Sequence, residues 1–403
     1  MCYNRHVSYQ AKISDYYSWY MMIEYEIVVA GHICLDLSPA FDSTQPQSVS
    51  TLFRPGRLIN TSGMTVSTGG AVSNTGFAMS KMGILVLPMA KIGDDPFGRL
   101  ISDISNTETG SAIHLQPGVQ TSYSIVLSPP GIDRIILHDP AGNNAFTSDD
   151  IDYRSIKSTS FFHFGYPPLM KRMYENDGAE LARMFSRAKQ QGAVTSLDMA
   201  LPDAASESGR VNWLSILEKT LPFVDLFLPS VEEALFMLDR AEYDRIASRL
   251  SGDEFTQHLD FGKIRELGTK ILSLGSKLAL IKCGAHGIYL RTAGESRMAQ
   301  IGKKRWANRE LFQPTYRVEN FKSALGGGDT TIAGFISAMI RGFALEGCAR
   351  TACLCGALCC TTYDAISAIR PIEQISELRE KGLNATQLPS GYLRYSEKER
   401  LFL

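Results

Sequence analysis

The sequence predicts an α/β fold in which helices cover both faces of a central sheet. Short apolar runs alternate with segments of helical spacing from residue 26 onward, which is typical of strands joined by helices. The runs are continuously apolar rather than alternating, as expected for parallel strands buried on both faces. With 403 residues, the chain is long enough to bury a large core.

The predicted elements follow one another along the chain. The first strand lies within Glu26–Asp36, where an apolar run is followed by a glycine. A helix is predicted over Ala71–Met82, because apolar residues recur at helical spacing and Gly83 is a typical stop. Four later strands are predicted at Ile84–Ile92, Ala193–Leu197, Asp225–Leu228 and Leu278–Lys282. The helices predicted between them include Glu180–Gln190 and Glu232–Leu238.

Two segments interrupt this alternation. Pro39–Thr65 is polar with short alternating pieces, and Thr121–Ser128 and Ile132–His138 are alternating runs joined by Pro129-Pro130-Gly131, which is a hairpin signal. Together they predict a small antiparallel unit over one end of the sheet. From the pattern alone, a lid over a site and a peripheral hairpin are equally favoured.

Composition excludes some classes of protein. Lys plus Arg is 41 and Asp plus Glu is 42, for a net charge of -1, whereas nucleic-acid binders usually carry a basic excess. No run of about 18 uncharged apolar residues predicts a membrane span. Residues 1–25 lack the apolar middle of a signal peptide. We therefore interpret them as an N-terminal extension of unknown role on a cytoplasmic protein, with residues 26–403 as one domain and no membrane or nucleic-acid partner.

The cysteines favour a reducing compartment. Five of the eight lie between Cys348 and Cys360, in a run that otherwise predicts an apolar helix. Neighbouring cysteines on one helix point in different directions and cannot all ligate one ion. Packed, reduced thiols are therefore favoured over a metal site.

The sharpest chemical feature is Gly326-Gly327-Gly328-Asp329. Apolar residues at helical spacing follow it, so a helix is predicted to begin at or near Asp329. Glycines before a helix leave backbone N–H groups open to an anion, and the helix dipole adds positive potential there. Such donors beside a carboxylate suit phosphoryl transfer to an alcohol. Taken alone, the motif slightly favours the alternative, in which Asp329 only caps the helix.

A second glycine element, Gly69-Gly70, precedes Asn74, whose amide can bind sugar hydroxyls. Taken alone, it slightly favours a plain strand-to-helix turn. Asp36 ends the first predicted strand, at the edge where open α/β sheets bind ligands. The chain contains neither a G-x-x-x-x-G-K-[ST] phosphate loop nor a dinucleotide fingerprint after its first strand.

Taken in order, these motifs resemble the PfkB family of carbohydrate kinases, over about residues 26–370. The matching elements are Asp36, then Gly69, Gly70 and Asn74 with Gly83, then GDDPFG (Gly93–Gly98), GNNAFTSDD (Gly142–Asp150), IKCGAHGIYL (Ile281–Leu290) and GGGD (Gly326–Asp329). The resemblance implies a ribokinase-like three-layer α/β/α sandwich with a small β-lid, formed by about residues 39–65 and 121–138.

The resemblance also implies roles for single residues. Asp329 would be the general base, and Gly326, Gly327 and Gly328 the anion hole for the phosphoryl group. The implied sugar-binding residues are Asp36, Gly69, Gly70, Asn74 and Asn144. Lys282, Gly284 and Gly287 would lie at the nucleotide, with Gly356–Cys360 against the adenine, and Glu233 would act on Mg²⁺ through water.

The chain departs from the family at three places. Ser230 stands where an asparagine usually precedes Glu233, Ser323-Ala324-Leu325 replaces a D-T-T-like segment, and Thr331 replaces a common aromatic residue. The first change puts the magnesium environment in doubt.

The expected function is ATP- and Mg²⁺-dependent phosphorylation of a primary hydroxyl on a small sugar or sugar derivative. A nucleoside kinase of the same family and a catalytically weak sugar-sensing protein are the alternatives. The identity of the sugar, a requirement for a monovalent cation and the formation of a homodimer through the lid are left open.

Overall fold

The structure, a computed structural model, describes residues 25–41, 52, 54–56, 58–129, 135–250, 255–258, 260–380, 395–396 and 401–402. The predicted N-terminal extension, apart from its last residue, lies outside the described residues. Most of residues 42–57 and the Pro130-Gly131 turn also lie outside the described residues.

A ten-stranded sheet forms the centre of the molecule, in the order β15-β16-β14-β13-β12-β11-β10-β9-β1-β4. The six neighbouring strands β12, β11, β10, β9, β1 and β4 are parallel to one another. The other four strands, β13, β14, β16 and β15, are added antiparallel. The bounds are β1 Ile27–Gly31, β4 Val86–Met89, β9 Phe161–Gly165, β10 Val194–Leu197, β11 Leu226–Phe227, β12 Leu278–Lys282, β13 Gly287–Thr292, β14 Glu310–Pro314, β15 Tyr395–Ser396 and β16 Leu401–Phe402.

Helices pack on both faces of this sheet. The α-helices are Ala78–Lys81, Pro96–Thr109, Ala141–Asn144, Tyr153–Lys157, Lys171–Tyr174, Ala179–Gln190, Glu207–Arg210, Trp213–Thr220, Val231–Leu238, Arg240–Ala247, Phe261–Ser273, Glu295–Ala299, Gly327–Ile340, Leu345–Cys359 and Ile372–Glu380, and Val72–Phe77 is a π-helix. Short 3₁₀ turns occur at Ser148–Asp150, Pro167–Leu169, Glu175–Gly178, Leu221–Phe223, Phe255–His258, Gly284–His286 and Lys304–Trp306. None of the helices in the described ranges is both long and apolar enough to cross a bilayer.

The core lies in two layers because side chains alternate across the strands. Ile27 and Val29 face the layer that contains the helices Gly327–Ile340 and Leu345–Cys359, and Val28 and Ala30 face the opposite layer. Both sets are completely buried, which explains the continuous apolar run of the first strand. Cys348, Cys353 and Cys355 of the helix Leu345–Cys359 are buried within the first layer.

A four-stranded sheet, here called the small sheet, lies beside the large one. Its order is β3-β2-β7-β8, with β2 Cys34–Ala40, β3 Gly63–Gly69, β7 Tyr123–Leu127 and β8 Ile135–Asp139. Two further strands, β5 Ile92–Gly93 and β6 Leu115–Gln116, pair only with each other. The second predicted segment matches β7 and β8, but the predicted bounds of the first are wrong, because β2 and β3 share only the two ends of Pro39–Thr65. The prediction that the unit is wholly antiparallel is also wrong. The central strands β2 and β7 are parallel, with Asp36 paired to Ser124.

A short stretch of chain connects the small sheet to the large one. Only His32 and Ile33 separate β1 from β2. The side chain of Asn143 fixes this connection, since its Oδ1 accepts from the Ile33 N–H at 3.3 Å and its Nδ2 donates to the Ile33 carbonyl at 2.8 Å. A third, smaller core joins Ile33 and Leu35 to Val72 of the π-helix and Ile101 of the helix Pro96–Thr109.

Candidate active site

The carboxyl ends of the parallel strands surround a cavity of about 390 Å³. Tyr166 follows β9, Asp198 follows β10, Ser230 follows β11, and Lys282 ends β12. These side chains line the cavity together with Glu233, Gly284, Gly326, Gly328 and Asp329. Because neighbouring parallel strands end at the same edge, residues distant in sequence meet there.

The helix Gly327–Ile340 begins at the wall of this cavity. Gly326 precedes it with φ of 73°, and a Cβ at that position would lie 2.3 Å from the Cβ of Ala365, so only glycine fits there. The Gly327 N–H donates to the Ala324 carbonyl at 3.1 Å. In the described part of the chain, the N–H groups of Gly328 and Asp329 have no protein acceptor. The predicted helix therefore starts two residues earlier than Asp329, and two amides remain available to an anion.

Asp329 lies in the first turn of this helix and is 3% exposed. The Tyr166 hydroxyl donates to its carboxylate, at 2.9 Å from Oδ1 and 2.8 Å from Oδ2. The Asn74 amide donates to Oδ2 at 3.0 Å and the Thr75 hydroxyl to Oδ1 at 3.4 Å. Burial raises the pKa of Asp329, while the bonds from Tyr166 and Asn74 and the charge of Lys282 act to lower the pKa.

Asn74 and Thr75, which both donate to Asp329, are consecutive residues of the π-helix Val72–Phe77. Gly70 precedes the turn at φ 92°, where a Cβ would lie 2.5 Å from Nδ1 of His32. Such π turns are frequent at functional sites. The sequence predicted a helix here but did not reveal its π character.

Lys282 and Asp198 form a buried ion pair beside the glycines. The Lys282 Nζ is 2.6 Å from Asp198 Oδ1, and their side chains are 11% and 1% exposed. A Cβ at Gly328 would lie 3.6 Å from the same Nζ, so the ammonium group borders the two open amides. Burial is the main cause that raises the pKa of Asp198 to about 8. Lys282 opposes this effect, and the charges of Glu233 and Asp329 add to it.

The site is short of positive charge. Three buried carboxyl groups, those of Asp198, Glu233 and Asp329, interact with the ammonium of Lys282, the one cationic side chain among the described residues that line the cavity. These carboxylates raise the pKa of Lys282 even though burial acts to lower it. A cluster of carboxylate oxygens with excess negative charge fits a hard divalent cation such as Mg²⁺.

Ser230 and Glu233 form a capping box at the start of the helix Val231–Leu238. The Ser230 hydroxyl accepts from the Glu233 N–H at 3.1 Å, and Glu233 Oε2 accepts from the Ser230 N–H at 2.6 Å. Serine thus caps this helix together with Glu233, which also lines the cavity.

Asp36 and Gly69 lie next to each other on the small sheet. A Cβ at Gly69 would lie only 2.3 Å from Asp36 Oδ2, so the carboxylate closely approaches the glycine. Burial raises the pKa of Asp36, opposed by hydrogen bonds from Cys34 and Ser124. Of the predicted sugar-binding residues, Asn74 contacts Asp329 directly, while Asp36 approaches Gly69 and Gly70 lies against His32.

The two asparagines of the GNN segment have different surroundings. Asn143 is completely buried and holds the Ile33 backbone, as described above. Asn144, the residue matched to the family motif, accepts from the Lys171 N–H through its Oδ1 at 3.0 Å. The contact of Asn144 with a sugar stays a prediction.

Of the predicted nucleotide residues, Lys282 and Gly284 line the cavity. Gly287 has φ of 122° beside the Gln313 carbonyl. Gly356 lies against Thr331, because a Cβ there would be 2.5 Å from the Thr331 hydroxyl oxygen. A Cβ at Gly327 would lie 3.9 Å from the sulfur of Cys360, which places this cysteine near the glycine turn.

Sequence reasoning missed Tyr166 and Asp198. Asp198 directly follows a correctly predicted strand, so its position at the carboxyl end was an available signal. Tyr166 gave no such signal. It adopts φ of 67° after β9, a backbone conformation that the residue type does not suggest.

Comparison with known proteins places the chain among sugar kinases. The family described as pfkB family carbohydrate kinase matches residues 26–372. An uncharacterized sugar kinase of Archaeoglobus fulgidus is 22% identical over 280 residues, which are 69% of this chain and 92% of that protein. Fructokinase-1 of Zea mays is 28% identical over 138 residues, 32% of this chain and 42% of that protein.

Solved structures share the fold. Arabidopsis thaliana ribokinase in complex with ribose and ATP is 18% identical, with a TM-score of 0.65 over 89% of this chain and 99% of that one. A putative ribokinase II of E. coli in complex with ATP and Mg²⁺ is 16% identical, with a TM-score of 0.64 and the same coverage. The ribokinase-like three-layer α/β/α fold predicted from the sequence is thereby confirmed.

Proposed function

The chain belongs to the pfkB family of carbohydrate kinases and is a phosphotransferase with an alcohol group as acceptor, and from this premise we propose that it transfers the γ-phosphoryl group of ATP to a primary hydroxyl of a small sugar or sugar derivative. One observation carries the proposal. A buried carboxylate, Asp329, lies in the first helical turn beside two amides that have no acceptor in the described part of the chain. A base next to an anion site is what phosphoryl transfer to an alcohol requires.

Asp329 is the proposed general base. The acceptor hydroxyl donates its hydrogen bond to the carboxylate, which takes the proton as the oxygen attacks phosphorus. Tyr166 and Asn74 hold the carboxylate in one orientation, because each donates to it at 3.0 Å or less. The Gly328 and Asp329 amides, with Gly326 and Gly327 shaping the turn, receive the charge of the moving phosphoryl group.

ATP and Mg²⁺ are the proposed co-substrate and cofactor, as in the E. coli relative solved with both. Glu233 would act on the ion through water. Bound Mg²⁺ neutralises charge on the phosphates. Lys282 lies beside Gly328 and would contact a phosphate oxygen. Gly284 and Gly287 would border the nucleotide, and Gly356 and Cys360 the adenine.

The proposed acceptor lies between Asp329 and the small sheet, which would serve as a lid. Asp36 and Asn74 would bind sugar hydroxyls, while Gly69 and Gly70 leave room for this approach. Asn144 is proposed to complete the site. Closure of the lid would exclude water from the phosphoryl group.

The test is an ADP-release assay with purified protein, Mg²⁺-ATP and a panel of pentoses, hexoses, keto-acid sugars and nucleosides. We expect saturable ADP release with one class of sugar, and phosphorylation at its primary hydroxyl by NMR. Turnover with nucleosides alone would replace the proposal with a nucleoside kinase. Saturable sugar binding in calorimetry without ADP release would identify a sugar-sensing protein.

A further inference from the structure

A cluster of histidine and cysteine side chains lies at one face of the small sheet. His32 Nε2 is 3.3 Å from His138 Nε2. The potential metal-ligand atoms, one from each of His32, Cys34 and His138, all lie within 4.8 Å of one another. The proposed kinase reaction uses none of these three side chains.

The pairing register of the small sheet creates this cluster. Asp36 of β2 pairs with Ser124 of β7, and Ser124 pairs with His138 of β8. Directly paired residues share a face of a sheet, so the three side chains form a row across three strands. Cys34 lies two residues before Asp36 and therefore points to the same face.

The separation of the imidazole nitrogens fits metal coordination. Zinc binds histidine nitrogen at about 2.0–2.1 Å in tetrahedral geometry, so two such ligands lie about 3.3 Å apart. The Nε2 atoms of His32 and His138 have this separation. Two imidazoles and a thiol form a donor set that suits Zn²⁺ or Co²⁺ rather than Mg²⁺.

The surrounding hydrogen bonds orient the rings toward one another. The Ser124 hydroxyl lies 3.1 Å from Nδ1 of His138, which leaves Nε2 of that ring free for an ion. His32 is 2% exposed, and its Nδ1 has no partner among the described residues, so its single polar contact is the one with His138. Protein hydrogen bonds alone therefore give little reason for a histidine at this buried position.

We infer that His32, Cys34 and His138 bind one divalent transition-metal ion of the Zn²⁺ type, with Asp36 next to the fourth coordination position. Asp36 Oδ1 is 3.3 Å from the sulfur of Cys34, on the same face. The ion would connect the start of β2 with the outer strand β8. Three protein ligands with one exchangeable position are typical of an open metal site rather than a closed structural one.

The test is a titration of the full-length, chelator-stripped protein with Co²⁺ under reducing, anaerobic conditions. We expect one ion per chain, tetrahedral ligand-field bands in the visible range and a thiolate-to-cobalt charge-transfer band. Cys34→Ser should abolish the charge-transfer band, whereas Cys348→Ser on the helix Leu345–Cys359 should keep it. Added Zn²⁺ should displace the Co²⁺ spectrum.

Two further variants separate metal binding from folding. His138→Gln changes an exposed residue and should weaken Co²⁺ binding, while His114→Gln, at another exposed histidine, should not. Ser124→Ala should lower affinity by about 10- to 100-fold, the usual effect of losing a group that orients a ligand. An absent charge-transfer band in the wild type, or equal affinity in His138→Gln and His114→Gln, would overturn the inference. This readout does not depend on kinase turnover, so the two proposals can fail separately.

Discussion

The hydroxyl of Tyr166 lies within 2.9 Å of both carboxylate oxygens of Asp329. The tyrosine therefore donates to the carboxylate that we propose as the base for the acceptor alcohol. It stabilises the ionised form, in opposition to burial, which raises the pKa of Asp329. Tyr166 is thus a positioning residue whose removal should change a pH profile.

Tyr166→Phe should shift the acidic limb of kcat/KM to higher pH. The proposed base acts only when ionised, so activity falls as pH falls through its pKa. Removal of a donor raises that pKa further, and a hydrogen bond to a charged group of about 1.5–3 kcal/mol corresponds to about one to two pH units. Tyr153→Phe is the matched control, since the Tyr153 hydroxyl bonds to Ser148 instead. An acidic limb that coincides with that of the wild type would contradict the assignment.

Asp329→Asn should lower kcat by about 10²- to 10⁴-fold, the usual contribution of a general base. The amide keeps the size of the carboxylate and can still accept from Tyr166, so fold and sugar binding should persist. Steady-state kinetics and thermal shift with the identified sugar measure the two effects. Asp103→Asn, on an exposed face of the helix Pro96–Thr109, should change neither. Turnover of Asp329→Asn within a few-fold of the wild type would exclude Asp329 as the base.

Gly69→Ala should weaken sugar binding without loss of the fold. The new Cβ would meet Asp36 Oδ2 at 2.3 Å and displace the carboxylate. Loss of one charge-assisted hydrogen bond corresponds to a rise in Kd of about 10- to 100-fold. Gly63→Ala, at the other end of β3, has no atom within 4 Å of its Cβ and should bind normally. Equal Kd values for the two variants in calorimetry would show that Asp36 does not bind the sugar.

Lys282→Met should lower the free energy of unfolding by about 3–5 kcal/mol, because it leaves Asp198 buried without its partner. The double variant Lys282→Met/Asp198→Asn should recover part of this loss, since it removes the unpaired carboxyl group. Urea unfolding measures both. Lys157→Met, at an exposed lysine, is the control. If the single and double variants are equally unstable, the ion pair is not the cause.

The sequence revealed five of the ten strands of the large sheet, namely β1, β4, β10, β11 and β12, because these parallel strands read as short apolar runs. It predicted the start of the helix Gly327–Ile340 within two residues, since three glycines interrupt the preceding pattern. Spacing could not reveal that β2 and β7 run parallel, because strand direction depends on where each chain segment enters the sheet. The contact between Tyr166 and Asp329 spans 163 positions and depends on a left-handed residue after β9, so no local pattern records it.

The two-residue step between β1 and β2 also limits how the molecule can move. The Asn143 side chain forms hydrogen bonds with both the N–H and the carbonyl of Ile33. This junction is therefore expected to resist the rotation that a hinge requires. We therefore expect the small sheet to bend along its outer strands, with its base anchored, when an acceptor enters. Substrates would then be admitted at the free rim of the sheet, and access would depend on the flexibility of that rim.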